Sequence, residues 1–115
     1  MRFKLIMALV KPDLTSDVVD AAKAAGATGD VIMSARGSGA HETKSFFGLI
    51  VEDQTDIIMF LVEEHCVDKI LNSIKTQAKF NEPGRGIAFV LNVERVAGLE
   101  SQMDKFREQA RENYL

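Results

Sequence analysis

The sequence predicts an α+β fold in which two helices cover one face of an antiparallel sheet. Three observations lead there. Three short apolar runs, at residues 5–10, 57–62 and 87–93, and an alternating segment at 29–36 have the length and composition of strands. Two stretches, 14–25 and 67–74, repeat their apolar residues at helical spacing. Lys11-Pro12, Gly26, Gly37-Ser38-Gly39 and Pro83-Gly84-Arg85-Gly86 punctuate the junctions.

Taken in order, Leu5-Ile6-Met7-Ala8-Leu9-Val10 is a buried first strand that Lys11-Pro12 stops. Asp13 to Ser16 supply cap residues, and Asp17 puts a negative charge in the first helical turn, where the dipole favours it. Leu14, Val18, Ala21, Ala22 and Ala25 form the stripe of the first helix, and Gly26 suits its C-terminal exit. From Gly29, residues Val31, Met33 and Ala35 alternate with Ile32, Ser34 and Arg36 until Gly37-Ser38-Gly39. Residues 40–45 are polar or small and read as an exposed loop. Phe46 to Val51 are apolar, but Gly48 and the bulky start suit a core strand poorly. Ile57 to Val62 make the clearest strand. Val67, Ile70, Leu71 and Ile74 then line one face of a second helix.

The last core segment begins as a turn and ends as a strand. Pro83 fixes φ, and Gly84 and Gly86 open backbone conformations closed to other residues. Gly84-Arg85-Gly86 can thus offer backbone N–H groups and a guanidinium to an anion. Ile87 to Val93 follow as a strand covered on both faces. The order is β-α-β-β-α-β, a ferredoxin-like split arrangement. The sheet face opposite the helices, with Ile32, Ile58, Phe60 and part of 87–93, or else their alternates, is too apolar to stay wet. Subunit association or the tail must cover it. Leu99, Met103, Phe106 and Ala110 recur at helical spacing, so a third helix is expected there, giving a core domain over 1–98 and a helical tail over 99–115.

The 115 residues are 46% hydrophobic and 27% charged, which suits a single globular domain. A net charge of −3 and a pI near 5.4 argue against nucleic acid or an anionic membrane as the main partner. Cys66 is the only cysteine, so no internal disulfide can form and a reducing compartment fits. No apolar run has the length of a membrane span, and the run after Met1-Arg2-Phe3-Lys4 is too short for a signal peptide. The chain is expected to be cytoplasmic, without membrane insertion.

These residues resemble the PII signal-transduction proteins, sensors of nitrogen, carbon and energy state. Ala8-Leu9-Val10-Lys11-Pro12 resembles the family's first strand with its Lys-Pro ending. Gly29 to Gly39 resembles its second strand, closing in Gly-x-Gly, and Cys66-Val67-Asp68 the start of its second helix. Gly84-Arg85-Gly86 with Ala88-Phe89-Val90 resembles its B-loop and last strand. The resemblance runs from Lys4 to about Gly98. It implies a homotrimer with an adenine nucleotide in each intersubunit cleft, held by Gly37, Ser38, Gly39, Gly84, Arg85 and Gly86. It also implies a T-loop, at about residues 40–55, that regulates a target enzyme or membrane transporter in nitrogen or carbon metabolism.

The sequence departs from that pattern in ways that bear on the ligand. The loop is several residues short. Phe46-Phe47-Gly48 stands where the family has its modifiable tyrosine, and the only tyrosine, Tyr114, is in the tail, so control by uridylylation is not expected. His41 replaces the glutamine that helps bind Mg-ATP and 2-oxoglutarate, Ile87 replaces the lysine after the B-loop, and Val96-Ala97-Gly98-Leu99 stands where an arginine pair follows the last strand. Those cations neutralise phosphates. ADP or AMP, or a different anion, is therefore expected over Mg-ATP with 2-oxoglutarate, unless Arg36, Arg85 or Arg95 substitutes.

Several residues admit two readings. Arg85 could hold a phosphate or be a solvated turn residue. Arg36 could face the same cleft or form an intersubunit salt bridge. His41 and Glu42, or His65 with Glu63 and Glu64, match no metal motif in their spacing, so no metal is expected. Cys66 reads as a small buried residue rather than a reactive thiol. No Ser-His-Asp, Cys-His or paired-carboxylate arrangement is present to carry catalysis, and an enzyme is not expected. The competing function is a trimeric metal- or small-solute-binding module, similar to the divalent-cation-tolerance proteins. A small hydrolase of the acylphosphatase kind would need Asn81 and Arg85 to converge on phosphate, and they are a poor pair.

Overall fold

One strand holds the sheet together. In the computed structural model, which describes residues 2–36, 45–46, 49–50 and 54–99, β1 (Phe3–Val10) pairs antiparallel with β5 (Gln54–Glu63) on one side and β6 (Gly86–Asn92) on the other. β2 (Val31–Arg36) pairs antiparallel with β5, so the strand order is β2-β5-β1-β6. α1 (Thr15–Ala24) follows β1, and α2 (Val67–Gln77) follows β5; a 3-10 turn leads into each, at Pro12–Leu14 and Glu64–Cys66. The four sheet strands and two helices follow the expected β-α-β-β-α-β order. Around the awkward segment, the described residues form a hairpin separate from this sheet, of β3 (Ser45–Phe46) and β4 (Leu49–Ile50). The expected tail helix lies outside the described residues, as does most of the loop.

The core lies between the sheet and the helices. Ile6, Val10, Ile58, Phe60, Val18, Ile70 and Ile74 are all fully buried and pack in one cluster. Ala8 pairs with both Ile58 and Ala88, and α1 adds Ala21, Ala22 and Ala25 to the cluster; these small side chains let helix and sheet approach closely. The α2 stripe is as expected, with Ile70 and Ile74 buried and Val67 and Leu71 half-buried.

The register settles which residues face away from the helices, and they are the alternates. Ile58 and Phe60 belong to the helix side. Ile32 pairs with Ile58 and shares that side, but the edge position of β2 leaves it 47% exposed. The opposite face carries Leu5, Met7 and Leu9 of β1, Val31 and Met33 of β2, Ile57, Met59 and Leu61 of β5, and Ile87, Phe89 and Leu91 of β6. Each of these is half-buried or exposed.

The helix ends show where local rules hold and where tertiary contacts override them. Gly26, at φ 117°, ends α1; its N–H donates to Lys23 O, and the Ala27 N–H donates to Ala22 O. That bond pair is the Schellman exit expected for glycine. At the other end of α1 the expected cap is absent. The residue before the helix is Leu14, placed there by the 3-10 turn, and its apolar side chain has no oxygen to cap with; the Thr15 hydroxyl, already within the helix, donates to Asp56 Oδ2 on β5 at 2.6 Å. α2 ends in the same type of exit, with the Phe80 N–H donating to Lys75 O, but Lys79 occupies the left-handed position at φ 56°. A lysine there costs about 1 kcal/mol relative to glycine. Lys79→Gly is expected to stabilise the fold by up to about 1 kcal/mol, read as a higher urea midpoint at unchanged m.

Candidate functional site

The register brings the Gly84-Arg85-Gly86 turn and the end of β2 to one end of the sheet. Val10, the last residue of β1, lies between Asp56 of β5 and Gly86 of β6. At the same end, Arg36 closes β2 opposite Gln54. Gly37-Ser38-Gly39 follow directly, though they lie outside the described residues, as do His41 and Glu42. The strand order sets Arg36 of β2 and Gly86 of β6 at opposite edges of this end, about three strand spacings or 14 Å apart. A ligand that used both strand ends would have to be extended, or a neighbouring copy would have to complete the site.

The Gly84-Arg85-Gly86 turn is built from the end of α2. Phe80, two residues past the helix cap, is half-buried against the core. The Glu82 N–H donates to Lys79 O at 3.0 Å and tightens the bend. Gly84 takes φ 78°, which favours glycine. Gly86 is required by crowding: a Cβ there would stand 2.7 Å from Leu9 O and from Val10 Cγ1, and 3.0 Å from Phe80 Cε1. β6 thus enters the sheet pressed against the end of β1, with the Phe80 ring beneath it.

Arg85 has a role that neither sequence reading gave it. Its Nε donates to Ala78 O, the cap carbonyl of α2, at 2.8 Å, and lies 3.8 Å from Glu82 Oε2. A cation at a helix C-terminus complements the dipole there. The bond ties the turn to the helix and uses one of five N–H donors, so the terminal nitrogens retain donors for a ligand. Ile87 is half-buried opposite Leu9 on the face away from the helices.

The other titratable candidates are elsewhere. His65 Nδ1 lies 3.0 Å from Glu63 Oε2, at the opposite end of β5 from the glycine turn. Cys66 sits at the start of α2, half-buried against the core, as a structural residue would. Among the described residues no three His, Cys, Asp or Glu side chains gather as metal ligands. Nor is any helix there long and apolar enough to cross a membrane. Sequence reasoning missed the Thr15–Asp56 bond and the Arg85–Ala78 tether, since both depend on register and helix length. Phe80 did leave a signal, an aromatic two residues beyond the end of an amphipathic stretch.

The crowding makes Gly86 hard to replace. Gly86→Ala is expected to cost roughly 1–3 kcal/mol or more, because the new methyl meets backbone as well as side chain. Gly29→Ala is the control: nothing lies within 4 Å of a Cβ there. It should be neutral or stabilise by up to about 1 kcal/mol in the same denaturation series.

Compared with curated proteins, the chain matches none. A family model does match, over residues 3–102, which spans the whole sheet, both helices and the glycine turn. By that match, and by a fold with the expected strand order, the chain belongs to the family described as nitrogen regulatory protein P-II.

Proposed function

We propose that the protein is a trimeric regulatory sensor that binds an adenine nucleotide between subunits and signals to a target protein through residues 40–55. The observation that carries this reading is the family match across the full sheet, joined to a glycine turn held open at the loop-bearing end. Gly84 and Gly86 leave the backbone of the turn approachable, and Arg85 adds a tethered guanidinium. Gly37, Ser38 and Gly39 would contribute from the other edge. A ligand bridging the two edges would bias the loop that starts beside it, and such a bias is enough to switch a partner on or off. The target would be an enzyme or transporter of nitrogen or carbon metabolism. No catalytic step is needed, and the protein acts by binding.

The replaced cations define the expected preference. With Ile87 and Val96-Ala97-Gly98-Leu99 at the family's lysine and arginine positions, the third phosphate of ATP gains little, and ADP or AMP should bind at least as tightly. Calorimetric titration of the wild type and Arg85→Ala with ATP, ADP and AMP tests this. Losing a charge-assisted bond should weaken a phosphate-bearing ligand roughly ten- to a hundredfold. Losing the Ala78 tether should lower stability by about 1 kcal/mol. A wild type that binds none of the three nucleotides would remove the nucleotide reading.

A further inference from the structure

The turn that carries Arg85 also carries an opposing charge. Glu82 lies three residues earlier, and the bond from its N–H to Lys79 O holds it in the bend. Its Oε2 stands 3.8 Å from Arg85 Nε, and its side chain is 55% exposed against 31% for the arginine. The two contacts of the guanidinium differ in kind. The bond from Nε to Ala78 O, at 2.8 Å, is close and fastens the arginine to the end of α2. The approach of Glu82 is longer than a hydrogen bond and makes a loose, solvated ion pair. Both contacts engage Nε. The edge formed by the two terminal nitrogens is one that can take two oxygens of an anion side by side.

On the reading of this turn as a phosphate contact, we infer that Glu82 is the turn's own competitor for Arg85. It neutralises the guanidinium when no ligand is bound, a phosphoryl group displaces it, and it thereby sets how much negative charge a ligand must bring. Coulomb attraction decides the exchange. A ligand group with a single charge offers the guanidinium no more than the carboxylate already beside it. A terminal phosphoryl group brings a charge of about −1.5 to −2 and three acceptor oxygens, so it prevails. The bond to Ala78 O need not break, so the arginine stays in place while its counter-ion leaves. The exposure of Glu82 lets the displaced carboxylate turn into water. It still repels the phosphate from a few ångströms away, so removing its charge should tighten binding. A residue that only shaped the turn would give the opposite sign. The phosphoryl group could arrive on a nucleotide or as free phosphate, and the test separates the two.

Wild type, Glu82→Gln, Arg85→Ala and the double variant are titrated with ADP, adenosine and inorganic phosphate, and the melting temperature of each ligand-free protein is measured. Glu82→Gln should bind ADP roughly two- to tenfold more tightly than wild type, leave adenosine unchanged and melt as wild type does. In the Arg85→Ala background the same substitution should lose most of its effect, because the pair it acts through is gone. If Glu82→Gln leaves ADP binding unchanged or weaker while Arg85→Ala still weakens it, the competitor role is overturned and the nucleotide reading stands. A gain of equal size with and without Arg85 would also overturn the role, since the carboxylate would then act on the ligand by itself. The expected pattern with phosphate alone, and no nucleotide binding, would uphold Glu82 as the competitor and sink the nucleotide reading. Binding of neither ADP nor phosphate by wild type and Glu82→Gln would overturn both.

Discussion

The pairing of β1 with β5 on one side and β6 on the other constrains everything else in the molecule. It places Ile6, Ala8 and Val10 under the helices and Leu5, Met7 and Leu9 on the far face. A slip of one residue would exchange the two sets, so the buried face specifies the register strongly. The same pairing fixes where the sheet ends. Val10 stops beside Gly86 because Pro12 has no N–H with which to continue the ladder and already turns the chain toward α1. The glycine turn, the base of the loop and Lys11 all meet at that end. The geometry of the candidate site is therefore a consequence of register and needs no special fold.

The second constraint comes from the uncovered face. Met33, Leu61, Phe89 and Leu91 are each at least one-third exposed, and half-buried apolar residues lie between them. A contiguous apolar patch across four strands is costly to leave in water. On our account further copies cover it, and those copies bring the opposite sheet edges of different chains near one another. The separation of about 14 Å between the ends of β2 and β6 would then cease to be an obstacle, because each cleft would take its parts from more than one chain. Assembly and ligand binding would be one problem with one solution.

Much of this was legible in the sequence, and what was not has a physical reason. The strand at 57–62 and the helix stripe of Val67, Ile70, Leu71 and Ile74 follow from side-chain periodicity, which burial enforces directly. Gly26 as a helix exit and Gly84 in a left-handed turn follow from local backbone sterics. Which of two alternating sets faces the helices did not follow. In β5 both sets are apolar, with Ile58 and Phe60 on one side and Ile57, Met59 and Leu61 on the other, so composition cannot choose between them. The expected α1 cap failed because the 3-10 turn at Pro12–Leu14 puts the apolar Leu14 at the cap position, and the bond of Thr15 to the distant Asp56 is visible only in the fold. Within the site, the sequence identified Gly84, Arg85 and Gly86 as a unit. It could not show that Gly86 is held by contact with Leu9, Val10 and Phe80, or that Arg85 is bonded to the cap carbonyl of α2.

The central claim is that the bare sheet face is covered by further copies of the chain and that the ligand site exists only in that assembly. Light scattering or sedimentation equilibrium of the purified protein at micromolar concentration tests it most directly. The account predicts a species of three times the 12.7 kDa chain mass. A monomer at that concentration would contradict it.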